Sequence, residues 1–124
     1  SKVHGGLVWE KWSELKMEFY KNNGTKVFID FTAKWCFTCK INERLVIQTD
    51  DFKQLVKDEK VTLLLGDWTK RDPVIGKWLK ENGHVGVPAY FVINSKGELI
   101  KLGETISLEE IKESLKTKPN CVTN

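Results

Sequence analysis

Apolar side chains recur along this chain with two different spacings. Short, nearly continuous apolar runs, rich in β-branched and aromatic residues, occupy positions 26–32, 61–65 and 89–93, which is typical of buried β-strands. Between them lie longer stretches in which apolar residues return every three or four positions, as on one face of an α-helix. The pattern therefore predicts strands that alternate with helices.

The first helix is predicted over residues 10–22, directly after the short apolar stretch at 7–9. Its apolar residues Trp12, Leu15 and Phe19 have the spacing of one helix face. Asn-Gly follows at positions 23 and 24, and glycine commonly ends a helix. We therefore expect these three side chains to face the core.

Local turn and cap signals set the boundaries of the later elements. Asp72 and Pro73 are typical of a helix N-cap followed by a proline in the first turn. Residues 94–97, Asn-Ser-Lys-Gly, predict a β-hairpin between two short strands. Residues 107–110, Ser-Leu-Glu-Glu, form a capping box that opens the last helix.

The predicted order of elements is β-α-β-α-β-α-β-β-α. Helical crossovers require parallel strands and the closing hairpin requires an antiparallel pair, so we expect an α/β fold with a central mixed β-sheet. The chain of 124 residues has the size of one domain and contains no repeat or linker. We expect a single domain over 1–124, ordered from about residue 7 to 117, with a tail at 118–124.

Composition supports a globular domain and excludes several classes of function. Five tryptophans and six phenylalanines are more aromatic residues than disordered chains carry. The 20 basic and 17 acidic side chains are interleaved and give a net charge of +3, so we expect no nucleic-acid partner. The longest aliphatic run, 61–65, is far shorter than the ~20 residues of a membrane-spanning helix.

Two of the three cysteines, Cys36 and Cys39, follow the strand at 26–32 and begin the next helix. Free N–H groups and the positive dipole end of a helix favour a thiolate there. A dithiol at this spacing can attack a substrate disulfide and then release itself through the second sulfur. Cys36, nearer the helix end and the surface, is the predicted nucleophile, and Cys39 is the predicted resolving thiol. Cys121 is expected to take no part in the reaction.

Half of a zinc site is the alternative interpretation of a Cys-x-x-Cys pair. Zinc needs about four ligands, typically supplied by a second pair at similar spacing. The other candidates are Cys121, His4 and His84, and none of them is paired with another. We therefore predict a redox-active Cys36–Cys39 disulfide with no metal and no cofactor. A protein-binding module without redox turnover remains the other non-enzymatic alternative.

A family resemblance strengthens the redox interpretation. Residues 28–40 resemble the active-site segment of thioredoxins, and Gly-Val-Pro at 86–88 is similar to that family's cis-proline loop. Within the superfamily the chain resembles the C-terminal domain of the DsbD family, in the run at 30–40, in Glu43 and in residues 67–73.

The resemblance covers about residues 9–116. It implies the thioredoxin fold, in which helices form the outer layers of a three-layer α/β/α arrangement around the mixed sheet. It also implies a domain that was cut from a larger membrane protein.

Two acidic residues near the cysteines gain candidate roles from this resemblance. Asp30, an acid inside an apolar strand, would be a desolvated carboxylate with a raised pKa that moves the proton of Cys39. The alternative for Asp30 is an edge position that faces water. Glu43 lies one turn beyond Cys39 and either tunes the pKa of the thiols or is a solvated surface residue.

Substrate docking is expected around the first cysteine. The resemblance implies a cis bond between Val87 and Pro88, beside Cys36, with backbone groups that hold an incoming peptide in an extended form. Trp35, Phe37 and Thr38 are expected to shape the same surface. Phe37 and Thr38 stand where thioredoxin has a Gly-Pro pair. The resemblance therefore does not predict the reduction potential of the Cys36–Cys39 disulfide. Tryptophans 68 and 78 are expected to be core or partial core.

The predicted activity is thiol–disulfide exchange, as a protein-disulfide reductase. By resemblance, a membrane-embedded domain would donate electrons, and an N-terminal thiol domain would accept them for disulfide isomerases and cytochrome c maturation. The resemblance places the domain in the periplasm, outside the inner membrane, as a monomer without direct membrane insertion. A free-standing thioredoxin-like reductase, in periplasm or cytosol, is the alternative.

Overall fold

The computed structural model describes residues 2–4 and 6–117. The strands are β1 (Lys2–His4), β2 (Leu7–Lys11), β3 (Val27–Thr32), β4 (Thr62–Asp67), β5 (Ala89–Ile93) and β6 (Leu99–Lys101). The helices are α1 (Glu14–Asn22), α2 (Phe37–Asn42), α3 (Asp50–Glu59), α4 (Pro73–Glu81) and α5 (Leu108–Leu115), and a π-helical turn, Glu43–Ile47, continues α2. The tail predicted at 118–124, with Cys121, lies outside the described residues.

One mixed sheet joins these strands in the order β1-β2-β4-β3-β5-β6. The three strands β2, β4 and β3 are parallel, whereas β1, β5 and β6 each run antiparallel to a neighbour. The mixed sheet and the closing hairpin predicted from the sequence are therefore confirmed. The edge strand β1 was not predicted, because three residues are too few to show a periodicity.

Helices cover both faces of the sheet. Adjacent residues of β3 point in opposite directions, so Phe28 packs towards α3 and α5, whereas Ile29 packs towards α1 and α4. Both side chains are fully buried. This arrangement confirms the three-layer α/β/α architecture. No helix within the described residues combines the length and the apolar character needed to cross a bilayer.

The first helix differs from its prediction. It begins at Glu14 rather than at residue 10, with Ser13 as its N-cap accepting a hydrogen bond from the Lys16 N–H at 3.1 Å. Residues 9–11 are held extended by the ladder of β2 with β4, and residues 7–9 pair with β1, so the helix starts later than predicted. As a result Leu15 and Phe19 are exposed. The prediction that they face the core was wrong.

The third predicted strand also extends further than expected. Strand β4 passes through Gly66 and ends at Asp67, where it pairs with Thr32 at the end of β3. A side chain at Gly66 would collide with the ring of Phe31, so only glycine lets the two strands continue side by side.

Three loops meet at this edge of the sheet. The carboxyl ends of the parallel strands β3 and β4 lie together, so the segments that follow them, 33–36 and 68–72, are neighbours. Strand β5 runs the other way and begins at Ala89 opposite Phe31, which brings residues 85–88 to the same edge. Ligand sites in open α/β sheets commonly form at the carboxyl ends of the strands.

Candidate active site

The two cysteines lie where β3 gives way to α2. Cys36 is the N-cap of α2, and its sulfur accepts a hydrogen bond from the Cys39 N–H at 3.2 Å. The two residues form a disulfide, with their Cα atoms 5.3 Å apart. Cys36 is 6% exposed, whereas Cys39 is fully buried. Only the first sulfur is therefore placed to meet another protein.

Two loops enclose the disulfide. Ala33 packs against both cysteines and accepts a hydrogen bond from the Cys36 N–H at 3.1 Å. Val87 packs against the same cluster from the loop before β5, and its peptide bond to the buried Pro88 is cis. The cysteines and this loop, which the sequence separates by about fifty residues, are thus brought together.

Asp30 lies in the middle of β3, paired with Leu65 on one side and Tyr90 on the other. It is 3% exposed, and its Oδ1 has no hydrogen-bond partner among the described residues. Burial, and then the negative charge of Glu43, raise the pKa of Asp30 to about 8. The carboxyl group can therefore hold or release a proton near neutral pH.

Glu43 reaches the same region from the π-helical turn after α2. It is half-buried, and its Oε2 accepts a hydrogen bond from the Thr32 hydroxyl at 3.3 Å. Asp30 and Glu43 line one cavity of about 270 Å³, together with Ala33 and Lys40, which lie next to the cysteines. The two carboxyl groups and the disulfide therefore share one side of the sheet edge.

A tyrosine completes this buried side. The Tyr90 hydroxyl accepts a hydrogen bond from Asn42 Nδ2 at 3.0 Å, and the same amide donates to the Glu104 carbonyl at 2.7 Å. Burial, and then the charge of Asp30, raise the pKa of Tyr90. Tyr90 therefore stays protonated. The sequence analysis did not single out Tyr90 or Asn42, because the pairing of Asp30 with Tyr90 depends on the register of β3 with β5.

Trp35 lies on the open side of the disulfide and is 48% exposed. Its Nε1 donates to the Thr69 carbonyl at 2.9 Å, and the Lys34 N–H donates to the Thr69 hydroxyl at 3.0 Å. Asp67 in turn accepts a hydrogen bond from the Thr69 N–H at 2.9 Å. These bonds tie the loop that carries Cys36 to the loop after β4.

Trp68 and Arg71 extend this open side. The Arg71 guanidinium lies 4.4 Å from the ring centre of Trp35 and 5.2 Å from that of Trp68. Trp68 is partly buried, as expected, and it also meets the loop before Pro88, because a Cβ at Gly86 would lie 3.4 Å from its ring. Trp68 thus touches all three loops of the site.

The structure brings most of the predicted site residues together. Phe37, which is 75% exposed, and Thr38 lie on the first turn of α2 and face outward. His84 is buried at the end of α4 against Phe91, and the side chain of His4 is not described. Within residues 2–4 and 6–117, no three His, Cys, Asp or Glu side chains group to hold a metal ion.

A role for Arg71 in this surface was not predicted, although residues 67–73 carry part of the family resemblance. Arg71 lies over two tryptophans, and its backbone is left-handed, with a φ of 54°. Only the run of aromatic and basic residues, Trp-Thr-Lys-Arg, gave a signal that could have pointed to it.

Comparison with known proteins agrees with this geometry. A family profile of thioredoxin-like proteins matches residues 8–95. The thiol:disulfide interchange protein DsbD of Klebsiella pneumoniae is 30% identical over 86 residues, which cover 69% of this chain and 14% of that protein. The chain thus spans only about a seventh of the length of this curated relative.

Solved structures give the same result. The C-terminal domain of Neisseria meningitidis DsbD, in its oxidised form, is 26% identical and superimposes with a TM-score of 0.65 over 86% of this chain and 95% of that one. A thioredoxin from Thermus thermophilus has a TM-score of 0.62 over 88% of this chain and 84% of that one. At 14% identity, the thioredoxin shows a shared fold alone.

Proposed function

The chain belongs to the thioredoxin-like family and is a thiol–disulfide oxidoreductase, and we propose that it acts as a protein-disulfide reductase through Cys36 and Cys39. One observation carries this proposal. The two cysteines form a disulfide at the start of α2, with Cys36 6% accessible, Cys39 fully buried and the cis Val87–Pro88 bond beside them.

The first step is the attack of Cys36 on a partner's disulfide. In the reduced protein the Cys36 sulfur, at the helix N-terminus next to the Cys39 N–H, is favoured as a thiolate. It forms a bond to one partner sulfur while the partner's own S–S bond breaks. The leaving sulfur departs as a thiolate and takes a proton from water.

The second step releases the partner. The Cys39 thiol gives its proton to the Asp30 carboxylate, and the resulting thiolate attacks the Cys36 sulfur. The bond from Cys36 to the partner breaks, the second partner thiolate leaves, and the Cys36–Cys39 disulfide forms. Two electrons have then moved to the partner. A pKa of about 8 suits Asp30 to this proton exchange, and Glu43 supports it by raising that pKa.

The partner docks as an extended segment across the open side. The backbone of Val87 and Pro88 lies beside Cys36 and offers main-chain groups to a peptide strand. Trp35 and Phe37 are exposed on either side of Cys36 and, with Thr38, present contact area to that segment. No cofactor besides the disulfide takes part in these steps.

We further infer a place in an electron relay like that of DsbD proteins. The match to Neisseria DsbD covers nearly all of a C-terminal domain, which supports this inference. In the relay, a membrane-embedded domain re-reduces the Cys36–Cys39 disulfide, and an N-terminal thiol domain accepts the electrons, on the periplasmic side of the inner membrane. The next acceptors are periplasmic thiol proteins, including those of cytochrome c maturation.

Substitution of the nucleophile tests the proposal. Cys36→Ser is expected to lower the rate of insulin disulfide reduction, with dithiothreitol as electron donor, to the rate of dithiothreitol alone. Cys121→Ser is the matched control and is expected to keep the wild-type rate. A Cys36→Ser protein that still accelerates insulin reduction would overturn the proposal that Cys36 is the nucleophile, and a wild-type protein that does not accelerate it would favour a binding module.

A redox titration tests the direction of electron flow. Equilibration with glutathione buffers, followed by mass analysis of thiol-blocked protein, gives the potential of the Cys36–Cys39 pair. We expect a potential in the range of the thioredoxin-like reductants rather than of the strong oxidants at ~−120 mV. A value near that oxidising limit contradicts a reductase.

A further inference from the structure

Arg71 stands over the open side of the active site in a fixed position. Its backbone has a φ of 54°, a conformation that costs most residues roughly 1–2 kcal/mol, and strained residues of this kind cluster at ligand-binding sites. The side chain then lies against the rings of Trp35 and Trp68, at 4.4 and 5.2 Å from their centres. Two aromatic faces therefore hold the guanidinium beside the residue that precedes Cys36.

The guanidinium of Arg71 has no acidic partner within the described residues. Four ion pairs occur there, and all of them join other residues, away from this loop. The Arg71 side chain also forms no hydrogen bond with residues 2–4 or 6–117. Arg71 is exposed, so the N–H donors of its guanidinium can receive a planar, bidentate acceptor such as a carboxylate.

Two further cations accompany Arg71. Lys70 precedes it, and Lys34 is brought to the same place by the hydrogen bond from its N–H to the Thr69 hydroxyl. We call Lys34, Trp35, Trp68, Lys70 and Arg71 the Arg71 patch. The patch surrounds the outer side of the Cys36 loop with three positive charges and two aromatic rings.

A groove of about 560 Å³ continues from the Arg71 patch along the ends of β2 and β4. Lys2 and Lys11 line it together with Lys34 and Lys70 of the patch. Within the described residues none of these four lysines forms an ion pair within 4 Å. The groove therefore offers ammonium groups that form no ion pair with a side chain of the described residues.

Three acids line the same groove, and each of them binds another group of the protein. Glu10 accepts a hydrogen bond from the Tyr20 hydroxyl and pairs with a lysine of α1. Asp67 accepts from the Thr69 N–H, and the charges of Lys34 and Lys2 help to lower its pKa. Asp72 caps α4 through the Val74 N–H. Each of the three acids thus already has a hydrogen-bond or ion-pair partner within the described residues, whereas the four lysines have no ion pair there.

We propose that the Arg71 patch and this groove select protein disulfides that are flanked by acidic residues, with Arg71 binding a carboxylate next to the partner's attacked cysteine. The inference rests on the proposed reductase function and names the class of its partner. Complementary charge at the rim of an interface raises the rate of encounter and fixes the register of docking. The acidic flank orients the partner's sulfur towards Cys36.

Three cyclic peptides test the proposal. They share one intramolecular disulfide and differ only in the residue beside the attacked cysteine, which is Glu, Gln or Lys. The protein is reduced with dithiothreitol, freed of it, and mixed with each peptide while the second-order rate of peptide reduction is measured. At low ionic strength, about 20 mM, we expect the Glu peptide to react about tenfold faster than the Gln peptide and the Lys peptide to react slowest. At about 300 mM salt the difference should largely vanish.

Variants locate the effect on Arg71. Arg71→Gln is expected to reduce the Glu-to-Gln rate ratio to about threefold or less, and Arg71→Lys is expected to keep an intermediate ratio because the charge remains and the planar fork is lost. Lys112→Gln removes one exposed positive charge from α5 and is the matched control. Its rate ratio is expected to equal that of the wild type.

The outcomes separate this inference from the proposed function. Equal rates for the Glu and Gln peptides in wild-type protein at low salt overturn the inference but leave the reductase function intact. An Arg71→Gln ratio equal to that of Lys112→Gln overturns the assignment to Arg71. Failure to reduce any of the three peptides overturns the reductase function itself. The salt dependence of the wild type needs no variant, so a misfolded Arg71→Gln would not spoil the test.

Discussion

The two sides of the Cys36–Cys39 disulfide are built in opposite ways. On the buried side, below Cys39, two carboxyl groups share a cavity, and one of them, Asp30, has no hydrogen-bond partner for its Oδ1 within the described residues. On the open side, around Cys36, the Arg71 patch carries positive charges in contact with solvent. The two acids are buried or half-buried on one side, where Lys34 and Lys40 also line their cavity, and the cations of the patch are exposed on the other side.

The difference follows from what each sulfur has to do. A buried carboxyl group has a pKa that is raised towards neutrality, so it can exchange a proton with Cys39. An exposed cation keeps its charge and exerts it on an approaching protein, as Cys36 requires. A buried charged group can therefore exchange protons near neutral pH, whereas an exposed one stays charged and can attract a partner.

The largest expected effect comes from Cys39→Ser. Without the buried sulfur, the bond between Cys36 and the partner cannot be resolved from within, so turnover is expected to fall by about a thousandfold or more while a mixed disulfide accumulates. Non-reducing gels and intact-protein mass measure this adduct. If Cys36→Ser accumulates the adduct and Cys39→Ser does not, the two sides have been assigned the wrong way round.

A second expected effect concerns folding and pH. The pKa of Asp30 is raised in the folded protein, to about 8 from about 4 when unfolded, so the folded state binds the proton more tightly. The stability contributed by the protonated form is complete below about pH 4 and is lost as the pH rises towards 8. The free energy of unfolding of the oxidised protein is therefore expected to fall by about 4 kcal/mol between pH 5 and pH 8.

Urea unfolding at these two pH values measures this change. Asp30→Asn keeps the shape of the side chain and cannot ionise, so it should remove most of the pH dependence and be the more stable protein at pH 8. Asp58→Asn, at an exposed acid of α3, is the control and should keep the wild-type dependence. A wild-type protein that is equally stable at both pH values would show that Asp30 ionises freely.

The third prediction concerns the rate at which the mixed disulfide is resolved. Asp30→Asn is expected to slow this step by about 100-fold near pH 7, because Cys39 loses its proton acceptor. The loss should shrink at higher pH, because hydroxide can then remove the proton of Cys39 in place of Asp30. Glu43→Gln should change the rate of this step by less than about tenfold, since Glu43 acts only by raising the pKa of Asp30.

Single-turnover quenched-flow kinetics with a peptide disulfide measure this step. The attack by Cys36, seen as the appearance of the mixed disulfide, is a separate phase and provides an internal reference. A uniform slowing of both phases in Asp30→Asn would mean that the buried carboxyl group supports the site as a whole rather than Cys39.

The smallest expected effect concerns the open side and the stability of the fold. Arg71→Gln is expected to change the free energy of unfolding by less than about 1 kcal/mol, because an exposed cation–π contact stabilises little. Urea unfolding at pH 7 tests this expectation. A loss of several kcal/mol would mean that Arg71 holds the loops together, and the contrast between the two sides would then fail.

Much of this arrangement was predictable from local sequence. The Cys36-x-x-Cys39 pair after a β-branched strand indicates a dithiol at a helix start, because only that placement combines a short sulfur separation with free N–H groups. The caps at Asp72 and Ser107 and the hairpin at 94–97 also depend on neighbouring residues, and the structure has all of them.

Predictions based on periodicity alone succeeded less well. The helix predicted from residue 10 was wrong at its start and in its buried face, since residues 9–11 pair with β4, a strand some fifty positions away. The same dependence on distant partners explains why β4 continues through Gly66 beside Phe31. Judged from the sequence alone, Gly66 was expected to end the strand. In the folded protein it lies within the strand, because the neighbouring ring of Phe31 leaves no room for a side chain there.

The sequence by itself determined the chemistry of this protein: a pair of cysteines one helical turn apart, an acid within a buried strand, and a proline before a later strand. The tertiary structure alone decided how charge is divided around that pair. Strand register sets Asp30 beside Tyr90, and the meeting of three loops stacks Arg71 on two tryptophans. Whether a charged group becomes a proton carrier or a recognition group depends on its burial, and burial is a property of the assembled fold.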